Sequence, residues 1–98
     1  MTPRSFDLSG NVALVTGAGA PDGIGFATAR LLGELGASVA VTSTTSRIDE
    51  RAAELSALGV GSSGHVADLT DESQVSALVE AVVTEHGRLD IVVNNAGM

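Results

Sequence analysis

Residues 16–25 read Thr-Gly-Ala-Gly-Ala-Pro-Asp-Gly-Ile-Gly, and between a buried strand and a helix glycines have a chemical reason to cluster, to let a backbone approach a phosphate. Gly17 permits a tight turn. Gly23 admits a pyrophosphate at a helix N-terminus, where unpaired N–H groups and the helix dipole attract an anion, and Gly25 lets helix and strand pack closely. The alternative is a plain glycine-rich turn. The common G-x-G-x-x-G spacing is missing, because Asp22 stands where its third glycine would be. A P-loop is excluded more firmly, since it needs a lysine for the phosphates and the chain has none. A second chemical stretch, residues 42–47, is Thr-Ser-Thr-Thr-Ser-Arg. A dinucleotide fold that prefers NAD places a carboxylate here for the ribose hydroxyls. Thr42, Ser43 and Thr44 offer hydroxyls instead and Arg47 a guanidinium, chemistry suited to the 2′-phosphate of NADP, with NAD the alternative. Arg47 also reads as a solvated residue of a helix's first turn, and Asp22 with the net charge of −7 argues the other way.

Both stretches need elements to hold them. Residues 11–16 are apolar through their middle, as in a parallel strand covered on both faces. From Ile24, the positions Ile24, Ala27, Leu31, Leu32 and Leu35 predict the inward face of a helix ended by Gly36. A strand over residues 38–43 follows. Ser46 is the expected N-cap of a second helix that turns Ile48, Ala52, Leu55 and Leu58 inward and stops at Gly59. A weaker strand spans about residues 64–67. Thr70 is then expected to cap a third helix with Asp71 and Glu72 in its first turn, a buried stripe of Val75, Leu78, Val79 and Val82, and an end at Gly87. Residues 89–94 form the fourth strand. This alternation is the βαβ pattern. It predicts an α/β, Rossmann-like doubly wound parallel sheet, incomplete, with four strands in the order 3-2-1-4 and three helices, occupying residues 1–98. Two helices then cover one face and one helix covers the other thinly. The apolar fourth strand is left at an edge, a feature folded proteins pair or cover, which predicts further chain after Met98.

Composition narrows the partners. With 44% hydrophobic and 17% charged residues the 98-residue chain reads as one globular unit. Five arginines without a lysine give no basic stripe for nucleic acid, and no apolar run is long enough to span a membrane. No cysteine is present, which removes disulfides, thiolate catalysis and cysteine-held zinc and makes the cytoplasm the default setting. Asp71, Glu72, Glu80 and Glu85 sit at the spacing of a solvated helix face, so no metal site is expected.

A resemblance now becomes specific. Thr16-Gly17 with Gly23-Ile24-Gly25 is similar to the T-G-x-x-x-G-I-G loop of short-chain dehydrogenases/reductases, lengthened by two residues around Ala20 and Pro21. Residues 65–70, His-Val-Ala-Asp-Leu-Thr, resemble the family's segment after its third strand, and residues 89–97, Leu-Asp-Ile-Val-Val-Asn-Asn-Ala-Gly, its L-D-x-L-V-N-N-A-G stretch. The resemblance covers residues 8–98 and looks like the first two-fifths of such an enzyme, the dinucleotide-binding half, in the branch of the 3-oxoacyl-(acyl carrier protein) reductases. It implies that Gly23 and Ile24 bind pyrophosphate, that Asp68 and Leu69 face adenine, and that Asn95, Ala96 and Gly97 line the nicotinamide dinucleotide. Asp68 also reads as the start of a capping sequence, Asn94 as a sheet-stabilising residue, and Asp90 as structural.

The resemblance further implies hydride transfer to a small carbonyl or from an alcohol, protonation by a Tyr-x-x-x-Lys pair, and a homo-oligomer at full length. The chain holds neither tyrosine nor lysine, so no catalytic residue is assigned and the 98 residues alone are expected to be inactive. His65 and His86 are poor substitutes, His86 reading as a partner of a helix C-terminus. The competing class is a non-catalytic nucleotide-binding or interaction module that pairs through the fourth strand's edge. A methyltransferase with the same sheet is weaker, because it too needs an acid ending the second strand.

Overall fold

The computed structural model describes residues 7–20 and 22–95. In chain order these residues form β1 (Val12–Val15), α1 (Ile24–Glu34), β2 (Ser38–Ser43), α2 (Ile48–Ala57), β3 (Ser62–Val66), α3 (Glu72–His86) and β4 (Ile91–Val93). All strands run parallel in the order β3-β2-β1-β4. The fold class and strand order expected from the sequence are therefore those adopted, a part of the six-strand doubly wound sheet. β1 lies between β2 and β4, with Leu14 opposite both Ala40 and Val92, and is buried along its length. This position is why its residues are apolar without alternation.

Successive residues of a strand face opposite sides, so the sheet has two cores. On one side Val15, Val39 and Val41 pack with Phe26 and Ala29 of α1 and with Ile48 and Leu55 of α2. On the other, Val12, Leu14 and Ala40 meet Leu78 and Val82 of α3, with Ala67 and the partly buried Leu69 and Leu89. The strand edges are pinned by polar bonds. The Val12 N–H donates to Asp90 Oδ2 at 2.8 Å and the Asp90 N–H to the Val12 carbonyl at 2.9 Å, fixing β4 against β1. Arg88, followed by Val12, draws the Asp90 carboxyl below the ordinary carboxylate range. Asp90 is structural, as read.

Several local expectations are corrected. The inward face of α1 is Gly25, Phe26 and Ala29 with Leu32 packed behind, while Ile24 (76% exposed), Ala27 and Leu31 point outward. Close approach to the sheet selects small residues: a Cβ on Gly25 would lie 2.5 Å from the Gly17 carbonyl oxygen. α2 is preceded by Arg47 as its N-cap, without a side-chain cap bond, rather than by Ser46, and Leu58 ends it exposed. The buried stripe of α2 includes Arg51, whose guanidinium sits 5.9 Å from the Phe26 ring centre and 2.9 Å from Glu54 Oε1, an ion pair too poorly aligned to be a hydrogen bond. α3 is capped by Asp71, whose carboxylate accepts the Ser73 N–H, rather than by Thr70. Val75 and Val79 are exposed, because the residues α3 buries against the sheet are Leu78 and Val82. Among the described residues no helix is long and apolar enough to cross a membrane.

Candidate functional site

The C-terminal ends of the strands, with the reversal of strand order between β1 and β4, border a cavity of about 740 Å³ lined by residues that follow all four strands. Such a topological switch point is where doubly wound sheets bind ligands, and the volume lies in the range of ligand pockets. Gly17 leaves β1 at φ +65, a conformation that favours glycine, and the chain then crosses over the end of β2. There the Ala18 N–H donates to the Thr42 carbonyl at 3.1 Å, and a Cβ on Gly19 would lie 3.0 Å from the Ser43 side chain. Gly23, extended at φ −85, is the N-cap of α1, with no side chain covering the free N–H groups of the first turn.

Thr16 ties the third wall in place. Its hydroxyl accepts the Asn95 N–H at 2.8 Å and donates to Asn94 Oδ1 at 3.1 Å, while the Asn95 amide reaches the Gly17 carbonyl at 3.3 Å. The loop after β4 is thus fastened to the loop after β1. On the opposite wall the Thr70 hydroxyl and N–H both donate to Asp68 Oδ1, at 2.6 and 2.9 Å. These bonds hold the exposed Asp68 carboxyl below the ordinary carboxylate value and leave Oδ2 without a partner among the described residues. Thr42, one of the lining residues, is 1% exposed and its hydroxyl oxygen is buried without a hydrogen-bond partner among the described residues. A buried hydroxyl with nothing to bind is costly unless a ligand satisfies it.

The sequence profile of the short chain dehydrogenase family matches residues 11–98. The chain belongs to that family. A hydroxy-methyl-oxo-hexahydro-1H-indene-carboxyl-CoA reductase of Mycobacterium tuberculosis is 48% identical over 93 residues, 93% of this chain and 35% of the relative. The 3-oxoacyl-(acyl-carrier-protein) reductase of Pseudomonas aeruginosa is 47% identical over 92 residues, 93% of this chain and 36% of its own. Among solved structures, a metagenomic short-chain oxidoreductase in complex with NADP superposes with a TM-score of 0.84 at 42% identity, covering 94% of this chain and 41% of that one. A hydroxysteroid dehydrogenase from Escherichia coli gives 0.89 at 36% identity, over 95% and 39% of the two chains. The chain spans about a third of the length of its curated relatives.

The cavity gathers Gly17, Thr42, Ser43, Thr44, Asp68 and Leu69 of the residues expected from the sequence. Gly23, Ile24, Gly25, Arg47 and Asn95 do not line it. Gly25 and Asn95 sit directly behind its wall against Gly17, and Arg47 is exposed at the start of α2. Ala96 and Gly97 lie outside the described residues. Gly19, Thr70 and Asn94 line the cavity and were not among those expected. Their signal was present: each lies at the C-terminal end of a strand or in the loop that follows it, the edge at which such sheets bind ligands.

Proposed function

We propose that this chain is the dinucleotide-binding portion of an NADP(H)-dependent short-chain dehydrogenase that reduces small carbonyl compounds or oxidises the corresponding alcohols. The observation that carries this is the end of β2, which contributes Thr42, Ser43 and Thr44 to the cavity lining and no carboxylate of its own. A carboxylate there would repel a 2′-phosphate, whereas hydroxyls can donate to it. The residues present fit the group: an unpaired buried hydroxyl in the lining, glycine backbone on one side, and a free Asp68 oxygen able to accept from the adenine amino group. Gly17, Gly23 and Ile24 would take the pyrophosphate, with Gly25 holding the helix close enough for its N–H groups to serve. Thr42, Ser43, Thr44 and Arg47 would hold the 2′-phosphate side, Asp68 and Leu69 the adenine, and Asn95 to Gly97 the nicotinamide side. When bound, the dinucleotide supplies the hydride. The family membership and the NADP complex of a similar structure support the reading. Protonation of the carbonyl is assigned to none of these residues, since the chain has neither tyrosine nor lysine.

The test is titration of the intact protein with NADPH and NADH, followed by nucleotide fluorescence. NADPH is expected to bind more tightly, and Arg47→Ala to lower the preference by about tenfold, the worth of one charge-assisted bond to a phosphate. An unchanged ratio in Arg47→Ala removes Arg47 from the site, and tighter binding of NADH overturns the assignment of cofactor. One observation favours a second reading, an interaction module without catalysis: Val92 on edge strand β4 is 60% exposed. That reading requires a monodisperse product of 9.8 kDa from the natural source that binds neither nucleotide.

A further inference from the structure

Away from the cavity, at the other end of α3, Ser63 of β3 stands between two imidazoles. Its Oγ lies 2.8 Å from His65 Nε2 and 2.8 Å from His86 Nε2. Ser63 and His65 are two apart on a strand and so share a face, and His86 is the last residue of α3. The three groups therefore join the edge of the sheet to the end of the helix whose buried residues are Leu78 and Val82.

The hydroxyl has one proton and can donate only once. Both contacts are hydrogen bonds when one ring accepts at Nε2 and the other donates from it, the arrangement that uses the hydroxyl's own proton, or when both rings donate and the hydroxyl only accepts. A ring that already donates through Nε2 can take a proton at Nδ1 without losing its bond. A ring that accepts through Nε2 cannot, because the new proton occupies the accepting lone pair and faces the hydroxyl. We propose that Ser63, His65 and His86 form a proton-sensitive clasp on α3, with His65 the accepting ring and its protonation the step that opens the clasp. Burial, then the neighbouring His86, hold His65 below the ordinary imidazole value, while Glu85 of α3 and Asp49 of α2 pull weakly the other way. The sign follows from that direction. The unfolded chain takes up the His65 proton first, so stability falls as pH drops below about 6.5 and goes on falling until the folded ring titrates. Neither the cofactor nor the catalytic reading enters this inference.

Long-range nitrogen–proton correlation spectra of the two rings, recorded on the intact protein, test it. Above pH about 7 His65 should carry its proton on Nδ1 and His86 on Nε2. As pH falls, amide exchange along α3, corrected for intrinsic rates, should rise by up to about tenfold, the worth of one lost hydrogen bond. Ser63→Ala should leave α3 exchanging fast at every pH and free the tautomer of each ring. The same tautomer on both rings of the parent protein, or α3 protection that ignores pH, overturns the clasp.

Discussion

The two faces of the sheet are unequal. The α1–α2 face brings Phe26, Ala29, Ile48 and Leu55 down onto Val15, Val39 and Val41, and all of these are buried. The α3 face has Leu78 and Val82 for the same task and leaves Val75, Val79, Val83 and Val92 exposed. The cavity opens on this thinner face, lined by Leu14, Thr42 and Leu78. Among the described residues the division is one of packing: one face is closely filled, and the other, being less filled, has room for a ligand. Local contact density rather than element type sets that division, since a longer helix, α3, lies on the weaker side.

The largest effect should come from emptying the denser face. Leu55 is fully buried among fixed neighbours, so Leu55→Ala should cost about 3–4 kcal/mol in urea unfolding. Leu78→Ala removes the same atoms beside half-open valines that can close over the gap, and about 2 kcal/mol is expected. Equal losses would show that the α3 face is as rigid as the other. Next comes Gly25→Ala, which drives a methyl into backbone at 2.5 Å and should cost about 1–3 kcal/mol by forcing α1 away from β1. Because that shift also moves Gly17, binding of NADPH should weaken in parallel, and a variant destabilised with binding intact would separate the helix contact from the site.

The same contrast decides how much the sequence could tell. Element order was legible because β-branched runs and helical periods alternate, and right-handed crossovers with a reversal after the third strand give the order 3-2-1-4. The face of α1 was not. Counting apolar bulk selected Ile24 and Leu31, but the controlling quantity was the distance between helix and strand, which favours Gly25 and Ala29 and leaves the larger residues outside. In the site, Gly17, Thr42, Ser43 and Asp68 could be read because each follows or ends a strand. The bonds of Thr16 to Asn94 and Asn95 join residues nearly eighty positions apart, and no periodicity carries that. The bridge from Ser63 to His86 escaped for the same reason.

Acid should find the thin face first. Asp71 at the start of α3 is held below the ordinary carboxylate value by the Ser73 hydroxyl and N–H, Asp68 by those of Thr70, and Asp90 beside β4 by Arg88 and then Val12. A depressed carboxyl contributes stability above its unfolded value and loses it as pH falls through its folded value. The carboxylate contribution should therefore start to be lost near pH about 4 and go on falling below it, after the loss expected from His65. In residue-resolved spectra α3 and β4 should broaden or shift before α1 and α2 as the pH is lowered. Simultaneous loss would mean that the two faces unfold as one unit.

The smallest effect tests whether the exposed valines are exposed in solution. Val83 is 41% accessible on α3, next to the fully buried Val82. Val83→Gln gives up part of a buried methyl surface but gains a straight chain that keeps its rotamers in a helix. These terms oppose each other, and the net change should stay within about 0.5 kcal/mol. A cost above about 1.5 kcal/mol would mean that Val83 is covered when stability is measured. Association is then the first suspect, and the concentration dependence of the midpoint separates the cases. A midpoint that rises with protein concentration, and stops rising in Val83→Gln, puts a second molecule on the α3 face. A midpoint independent of concentration leaves the valines in water and the inequality of the two faces intact.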